Sequence, residues 1–231
     1  MSKVCVIAGV GPGNGLSLAR RFAAGGYQVV LLARSEAKLQ TISGQVPGSK
    51  TYACDVGDES AVTETFQTIG REVGNVDTFI HNAGAGVFGS VEDIDSVSFE
   101  NAWRVNALGC FLCCRQVIPT MKSRGGNIVV IGATASKRGG ARFAAFASAK
   151  AAQYNLAQSM ARHLGPQGVH VSYIIIDGVV DIPRTRERFP EREDSFFLKP
   201  DHIAETVFQI TEQPSSAWTF EVDLRPAAEK W

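Results

Sequence analysis

Residues 3–33 read KVCVIAGVGPGNGLSLARRFAAGGYQVVLLA, and this stretch decides the fold. It opens with an apolar run, Lys3 to Gly9, with the length and continuity of a buried parallel strand. A glycine-rich turn follows, Gly9-Val10-Gly11-Pro12-Gly13-Asn14-Gly15. The apolar spacing Leu16, Leu18, Ala19, Phe22, Ala23 then suits a helix, which Gly25-Gly26 ends. Residues 27–33 (YQVVLLA) form the second strand. A strand, a glycine turn and a helix in that order make a βαβ unit. Backbone N–H groups at such a helix N-terminus face a pyrophosphate, and the glycines let the chain turn tightly and approach it. The spacing is GxxxGxG, on Gly9, Gly13 and Gly15. The commoner GxGxxG would put its third glycine at Asn14. The bland alternative is a tight βα turn with no ligand.

The alternation continues along the chain. Strands are expected over 50–54, 76–81, 127–131, 169–176 and 218–224, the last alternating like an edge strand. Helices are expected over 35–44, 59–73, 96–122 and 141–164. Asp58 is expected to cap the helix at 59–73, and Asp201 a last helix. Residues 179–199, with Pro183 and Pro190, read as a polar loop or lid. Its mixed charges at 184–193 (RTRERFPERE) do not argue for an acidic ligand. No internal repeat, low-complexity tract or linker interrupts the 231 residues. The pattern predicts an α/β fold, a doubly wound, mainly parallel sheet in a single domain over 1–231.

Composition narrows the function. The chain is 45% hydrophobic, ample for one continuous core. Its 23 basic and 23 acidic residues give a formal net charge of +0, so neither nucleic acid nor an anionic membrane is expected as a partner. The N-terminus runs straight into a strand, with no signal peptide expected. No apolar run approaches the ~20 residues of a membrane span. Of five cysteines, Cys5 and Cys54 sit in strand contexts, and Cys110, Cys113 and Cys114 in one helical stretch. No nearby His or Cys pair completes a metal site. They read as buried free thiols of a cytoplasmic protein, with no metal.

Several residues stand where ligand chemistry is expected. The second strand ends in Ala33-Arg34. An NAD-binding strand generally ends in an acidic residue for the ribose 2′-hydroxyl, whereas an arginine fork suits the 2′-phosphate of NADP. Arg34 is otherwise a solvated surface arginine. Asp55-Val56 closes the third strand, where a carboxylate can accept from an adenine amino group or make a turn. Asn82-Ala83-Gly84 follows the fourth. Asn106 lies mid-helix, a place usually on the surface or in local packing, and Lys150 lies in an alanine-rich helix.

In order and spacing these motifs resemble the short-chain dehydrogenase/reductase superfamily over nearly the whole chain. The resemblance implies a nicotinamide-dependent oxidoreductase on a Rossmann-type sheet of about seven strands. It implies a homodimer or homotetramer built through two long helices. Carried over by position, Gly9, Gly13, Asn14 and Gly15 would hold the pyrophosphate, and Asp55 and Val56 would flank the adenine. Asn82, Ala83 and Gly84 would line the cofactor cleft. Lys150 would bond the nicotinamide ribose, and Asn106 would hold a water of the proton relay. Asp177-Gly178 falls where the family has Pro-Gly beside the nicotinamide. His81, in place of the first of two asparagines, reads as a strand-end packing residue. With Arg34, the cofactor expected is NADP(H) before NAD(H).

Two departures concern the chemistry. The family pattern puts a tyrosine four residues before the lysine and a serine thirteen before that; here they are Phe146 and Ala133. In the family the tyrosine is the general acid/base, its pKa lowered by the lysine, and the serine bonds the substrate oxygen. Phenylalanine and alanine do neither. Thr134, Ser136, Ser148 and Tyr154 are the neighbouring hydroxyls. Two readings stand side by side: an oxidoreductase with an altered site, or an NADP(H)-binding pseudoenzyme acting as sensor or assembly subunit.

Overall fold

The computed structural model describes residues 2–229. β1 (Val4–Ala8) leads through the glycine turn into α1 (Asn14–Ala24), β2 (Gln28–Ala33), α2 (Glu36–Ser43), β3 (Lys50–Ala53), α3 (Glu59–Glu72) and β4 (Thr78–His81). The second half runs α4 (Ser96–Trp103), α5 (Gly109–Arg124), β5 (Gly126–Ile131), α6 (Ala144–Leu164) and β6 (Val169–Ile176). Then come β7 (Val179–Val180), α7 (Pro183–Arg188), β8 (Phe197–Leu198), α8 (Pro200–Thr211) and β9 (Glu221–Leu224).

Seven strands form one sheet in the order β3-β2-β1-β4-β5-β6-β9. Every pairing in it is parallel. This is the doubly wound Rossmann-type sheet. The chain reverses direction across the sheet between β1 and β4, and ligands bind such sheets outside the carboxyl ends of the strands at that point. Alternate side chains of β1 feed two cores. Val4, Val6 and Ala8 pack towards α3, α5 and α6 with Phe66, Val117 and Ala157. Cys5 and Ile7 pack towards α1, α2 and α8 with Phe22, Leu39 and Val207. Every residue of β1 and β6 is buried, as helices on both faces require. The five cysteines are free and buried in these cores. Among the described residues no three His, Cys, Asp or Glu side chains group as metal ligands, and no helix is long and apolar enough to cross a membrane.

Several readings differ from expectation. The helix expected over 96–122 is two helices joined by a π turn, Arg104–Leu108, where the Gly109 N–H donates to the Arg104 carbonyl five residues back. Asp201 does not cap the last helix. Pro200, with its φ already helical, starts it, and Asp201 in the first turn instead accepts from Ser17 Oγ of α1 at 2.5 Å. Asp58 does cap α3, accepting from the Ala61 N–H. The edge strand is only β9, because Trp218 leaves the sheet to stack on His170 with ring centroids 4.8 Å apart. Residues 179–199 are not plain loop. β7 and β8 pair there, and Asp181 takes a two-bond fork from Arg186 and a further bond from Lys199.

Candidate active site

A cleft of about 330 Å³ opens at the carboxyl ends of β1 to β4. Gly9, Arg34, Asp55, Val56, Asn82, Ala83 and Gly84 all line it. Its floor exists because two loops touch. Gly9 has φ +87°, and a Cβ there would lie 2.3 Å from Ala83 Cα. Only glycine fits that backbone contact. Asn82 Nδ2 donates to the Gly9 carbonyl at 2.6 Å and pins the glycine turn to β4. At Gly15 a Cβ would lie 2.7 Å from Val10 Cα, so α1 starts directly against the turn.

The turn fits a phosphate-bearing cofactor. Gly11 lines the cleft and faces open space, as a close ligand approach needs. Asn14 Oδ1 is buried with no hydrogen-bond partner among the described residues, free to accept from a ligand hydroxyl. Gly13 lies under Ile182, whose Cγ2 would be 2.5 Å from a Cβ at that position. Asp55 turns one carboxylate oxygen back to the Gly57 N–H at 2.9 Å. Arg34 is exposed and makes no ion pair among the described residues. Lining residues that escaped the sequence reading include Ala85, Asn101, Val105, Ser35, which caps α2, and Lys38, one turn into it. A cation three or four residues past a strand-end arginine was the available signal. Gly178 is not in this cleft. Its φ of +155° and a Cβ position 2.7 Å from Pro226 Cδ tie it to the C-terminal tail.

Lys150 is buried at 5% exposure, and its Nζ donates to the Ile131 carbonyl and to Gln153 Oε1, each at 2.9 Å. Gln153 Nε2 donates onward to the Asn106 backbone carbonyl at 2.8 Å. Asn106 is fully buried in the π turn, not on the surface. Its Nδ2 donates to the Ala85 and Ala102 carbonyls at 3.0 and 2.8 Å. Its Oδ1 has no partner among the described residues. Burial pushes the Lys150 ammonium down to about 8, with the Cys110 thiol working weakly the other way. His81, fully buried at the end of β4, is pushed down to about 3 by burial and then by the charge of Lys150, so it is neutral near pH 7. Among the described residues neither ring nitrogen has a hydrogen bond of normal geometry, although the Val105 backbone approaches the ring and partly offsets the lowering.

The sequence profile of the short chain dehydrogenase family matches residues 3–193. The chain belongs to this family. It is 28% identical to an uncharacterised oxidoreductase of Staphylococcus saprophyticus, covering 97% of each chain. Among solved structures it is similar to a short-chain dehydrogenase from Rhodopseudomonas palustris, at 31% identity and a TM-score of 0.83, covering 97% of this chain and 98% of that one. It is also similar to an alcohol dehydrogenase from the archaeon Thermococcus sibiricus complexed with 5-hydroxy-NADP, at 26% identity and a TM-score of 0.89, covering 100% and 99%.

Positions 133 and 146, where the resemblance would place a serine and a tyrosine, carry no hydroxyl. Ala133 is extended, at φ −155° and ψ 160°. The Phe146 ring packs on Phe88 and Phe143, with centroids 5.2 and 6.2 Å away. Phe88 and Phe143 pack on each other at 5.2 Å and are both exposed. The neighbouring hydroxyls are all engaged elsewhere. Thr134 Oγ1 donates to Asp177 Oδ1. Ser136 donates to the Ala133 carbonyl at 2.7 Å, and Ser148 to the Ala144 carbonyl of its own helix. Tyr154 packs on Tyr173 and its hydroxyl donates a hydrogen bond to Glu221 at 2.6 Å. Asp177, where the resemblance would place a proline, also takes Arg225 at 3.2 Å and so anchors the C-terminal tail.

Proposed function

We propose that this chain is an NADP(H)-dependent oxidoreductase whose substrate exchanges its proton with water, not with a protein side chain. The observation that carries this is a buried, hydrogen-bonded Lys150 kept beside positions 133 and 146 that hold no hydroxyl. Gly9, Gly13, Asn14 and Gly15 would hold the pyrophosphate, Asp55 and Val56 the adenine, and Asn82, Ala83 and Gly84 the cleft wall. Arg34, with Lys38, favours NADP(H) over NAD(H), because the 2′-phosphate needs cations where a 2′-hydroxyl needs a carboxylate. When bound, the reduced nicotinamide supplies a hydride. Ile131 and Gln153 fix two N–H groups of the Lys150 ammonium, which leaves the third for the nicotinamide ribose. The Phe88, Phe143 and Phe146 rings exclude water from one side and favour a flat, apolar substrate. Enones and imines fit this site better than ketones, whose developing alkoxide needs a donor that Ala133 and Phe146 lack.

The pseudoenzyme remains the second reading, favoured by the engagement of Thr134, Ser136, Ser148 and Tyr154 elsewhere. One screen separates the two: NADPH oxidation with ketones, enones and imines, for native protein and Lys150→Ala. Turnover of an enone or imine that is lost in the variant supports the oxidoreductase. NADPH binding with no turnover supports the binding protein. Robust ketone reduction by the native protein refutes the missing acid.

We infer a homodimer or homotetramer assembled through α4–α5 and α6, in a reducing compartment such as the cytoplasm. Support comes from Phe99, Trp103 and Phe111, exposed large apolar side chains of α4 and α5 that a second copy would cover. Light scattering at micromolar concentration tests it, and a monomer mass refutes it.

A further inference from the structure

We propose that the side-chain amide of Gln153 takes the place of a proton-carrying water between Lys150 and the Asn106 carbonyl, and so closes the proton route while leaving the cofactor site intact. The inference rests on the nicotinamide reading of this site.

The bridge is built, not incidental. Gln153 and Asn106 are fully buried and Lys150 nearly so. Oε1 accepts from the ammonium at 2.9 Å while Nε2 donates to the Asn106 carbonyl at 2.8 Å. Only one orientation of the amide satisfies both, because an ammonium has no acceptor and a carbonyl no donor. Gln153 lies three residues after Lys150 on α6, the spacing at which two helical side chains meet. On the buried side of that helix its neighbours are small and apolar, Ala149 and Ala157 among them. A packing residue there needs no amide, and burying one without partners costs free energy. Water at the same place can receive a proton on one side and release another on the opposite side. A carboxamide accepts and donates hydrogen bonds but does not pass a proton on. With Gln153 in place, Lys150 is a fixed cation with one N–H left to give, and Gln153 is its positioning residue.

The test uses the Ala133→Ser/Phe146→Tyr protein, which regains the family's hydroxyls, with and without a third change. Gln153→Ala removes the amide and opens a space bounded by Lys150 Nζ and the Asn106 carbonyl, with the unpartnered Asn106 Oδ1 on the same residue. A buried water needs two to four such partners. Gln153→Met fills the space with no polar group. A recovered proton relay should raise kcat for NADPH-dependent ketone reduction at least ~10-fold in the alanine triple variant over the double. KM for NADPH should stay within about threefold, and the methionine triple variant should gain nothing. Equal kcat in all three overturns the proposal.

A second arm needs no cofactor. ¹⁵N NMR follows the Lys150 amine in apo protein as pH is raised. Gln153→Met removes one acceptor from the ammonium, so its midpoint should fall by at least ~0.5 pH unit against native. Gln153→Ala, with water in place of the amide, should stay near native. The titratable groups facing Lys150 are Cys110 of α5, His81 of β4 and Tyr173 of β6, whose hydroxyl donates to the Lys150 backbone carbonyl, and all are unchanged in every variant. Equal midpoints overturn the bridge. Failure of native protein to bind NADPH would refute the functional reading alone, and this arm would still decide Gln153.

Discussion

Arg34→Ala should separate the two nicotinamide cofactors. Arg34 lines the cleft at the end of β2, exposed and with no ion pair among the described residues, so its guanidinium is available to a 2′-phosphate. A hydrogen bond to a charged group contributes about 1.5–3 kcal/mol. The lower end applies here, because solvent screens an exposed pair. At about 1.4 kcal/mol per tenfold, NADPH should bind roughly 10- to 30-fold more weakly to the variant. NADH has no phosphate at that position, and its affinity should change by less than about twofold. Lys38→Ala should cost NADPH roughly threefold, since a lysine contributes a flexible point charge and not a planar fork. Calorimetric titration of both cofactors into both variants measures this directly, and the NADPH penalty should shrink as salt is raised. Tighter NADH than NADPH binding by native protein would refute the reasoning, as would equal losses for both cofactors in Arg34→Ala.

Three further outcomes follow from particular contacts. Gly9→Ala should cost about 2 kcal/mol or more in urea unfolding, because alanine is strained at φ +87° and its Cβ would meet the Ala83 backbone; unchanged stability would mean that the two loops are not in contact. Lys150 has a folded-state pKa of about 8, below the roughly 10.4 of an unfolded lysine. Between these values the unfolded chain holds the extra proton, so this group makes stability rise with pH. Lys150→Met removes that rise, so its stability relative to native should fall from about pH 8 to pH 10, as paired denaturation curves would record; a constant difference would refute it. His81→Leu should lie within about 1 kcal/mol of native in thermal unfolding, because the ring is buried neutral and has no hydrogen bond of normal geometry among the described residues; a larger loss would mean that the nearby Val105 backbone bonds the ring.

The fold was legible because its signals are local and repeat. Glycine turns, apolar strand runs and 3.6-residue spacing recur along the chain, and every strand expected from them joins the one sheet. The cleft was legible in part. Gly9, Arg34, Asp55, Val56 and Asn82 to Gly84 meet in it, because all lie at strand ends that a parallel sheet brings together. Gly178 escaped that logic, since tail packing at Pro226 decides its place. Gln153 was illegible for a different reason. A lone glutamine in an alanine-rich helix reads as a solvated side chain, and only the approach of Asn106, 47 residues away in sequence, makes it a bridge. Tyr154, one turn beyond Lys150, reads from the sequence as core or interface before acid, and its partner Glu221 lies in a strand 67 residues on. The π turn has no composition of its own, and Asn106 was read as a mid-helix residue without its fold-wide bonds.

That turn makes the length of the segment matter more than its composition. A π turn holds one residue more than α-helical geometry needs, and each helical residue rotates the chain by about 100°. In genetic terms, an in-frame loss of one codon between Ser96 and Arg124 would relax the turn to regular helix. Residues between the gap and the turn would then swing by that angle, while the helix beyond them keeps its phase. Asn106 would leave Ala85 and Gln153, or Phe111 would turn away from the face it shares with Trp103. Point substitutions on the outer face leave this phase untouched. Among functional variants of the gene, this window should therefore collect amino-acid changes but no single-codon gaps. Deep mutational scanning with a deletion library would read out that asymmetry.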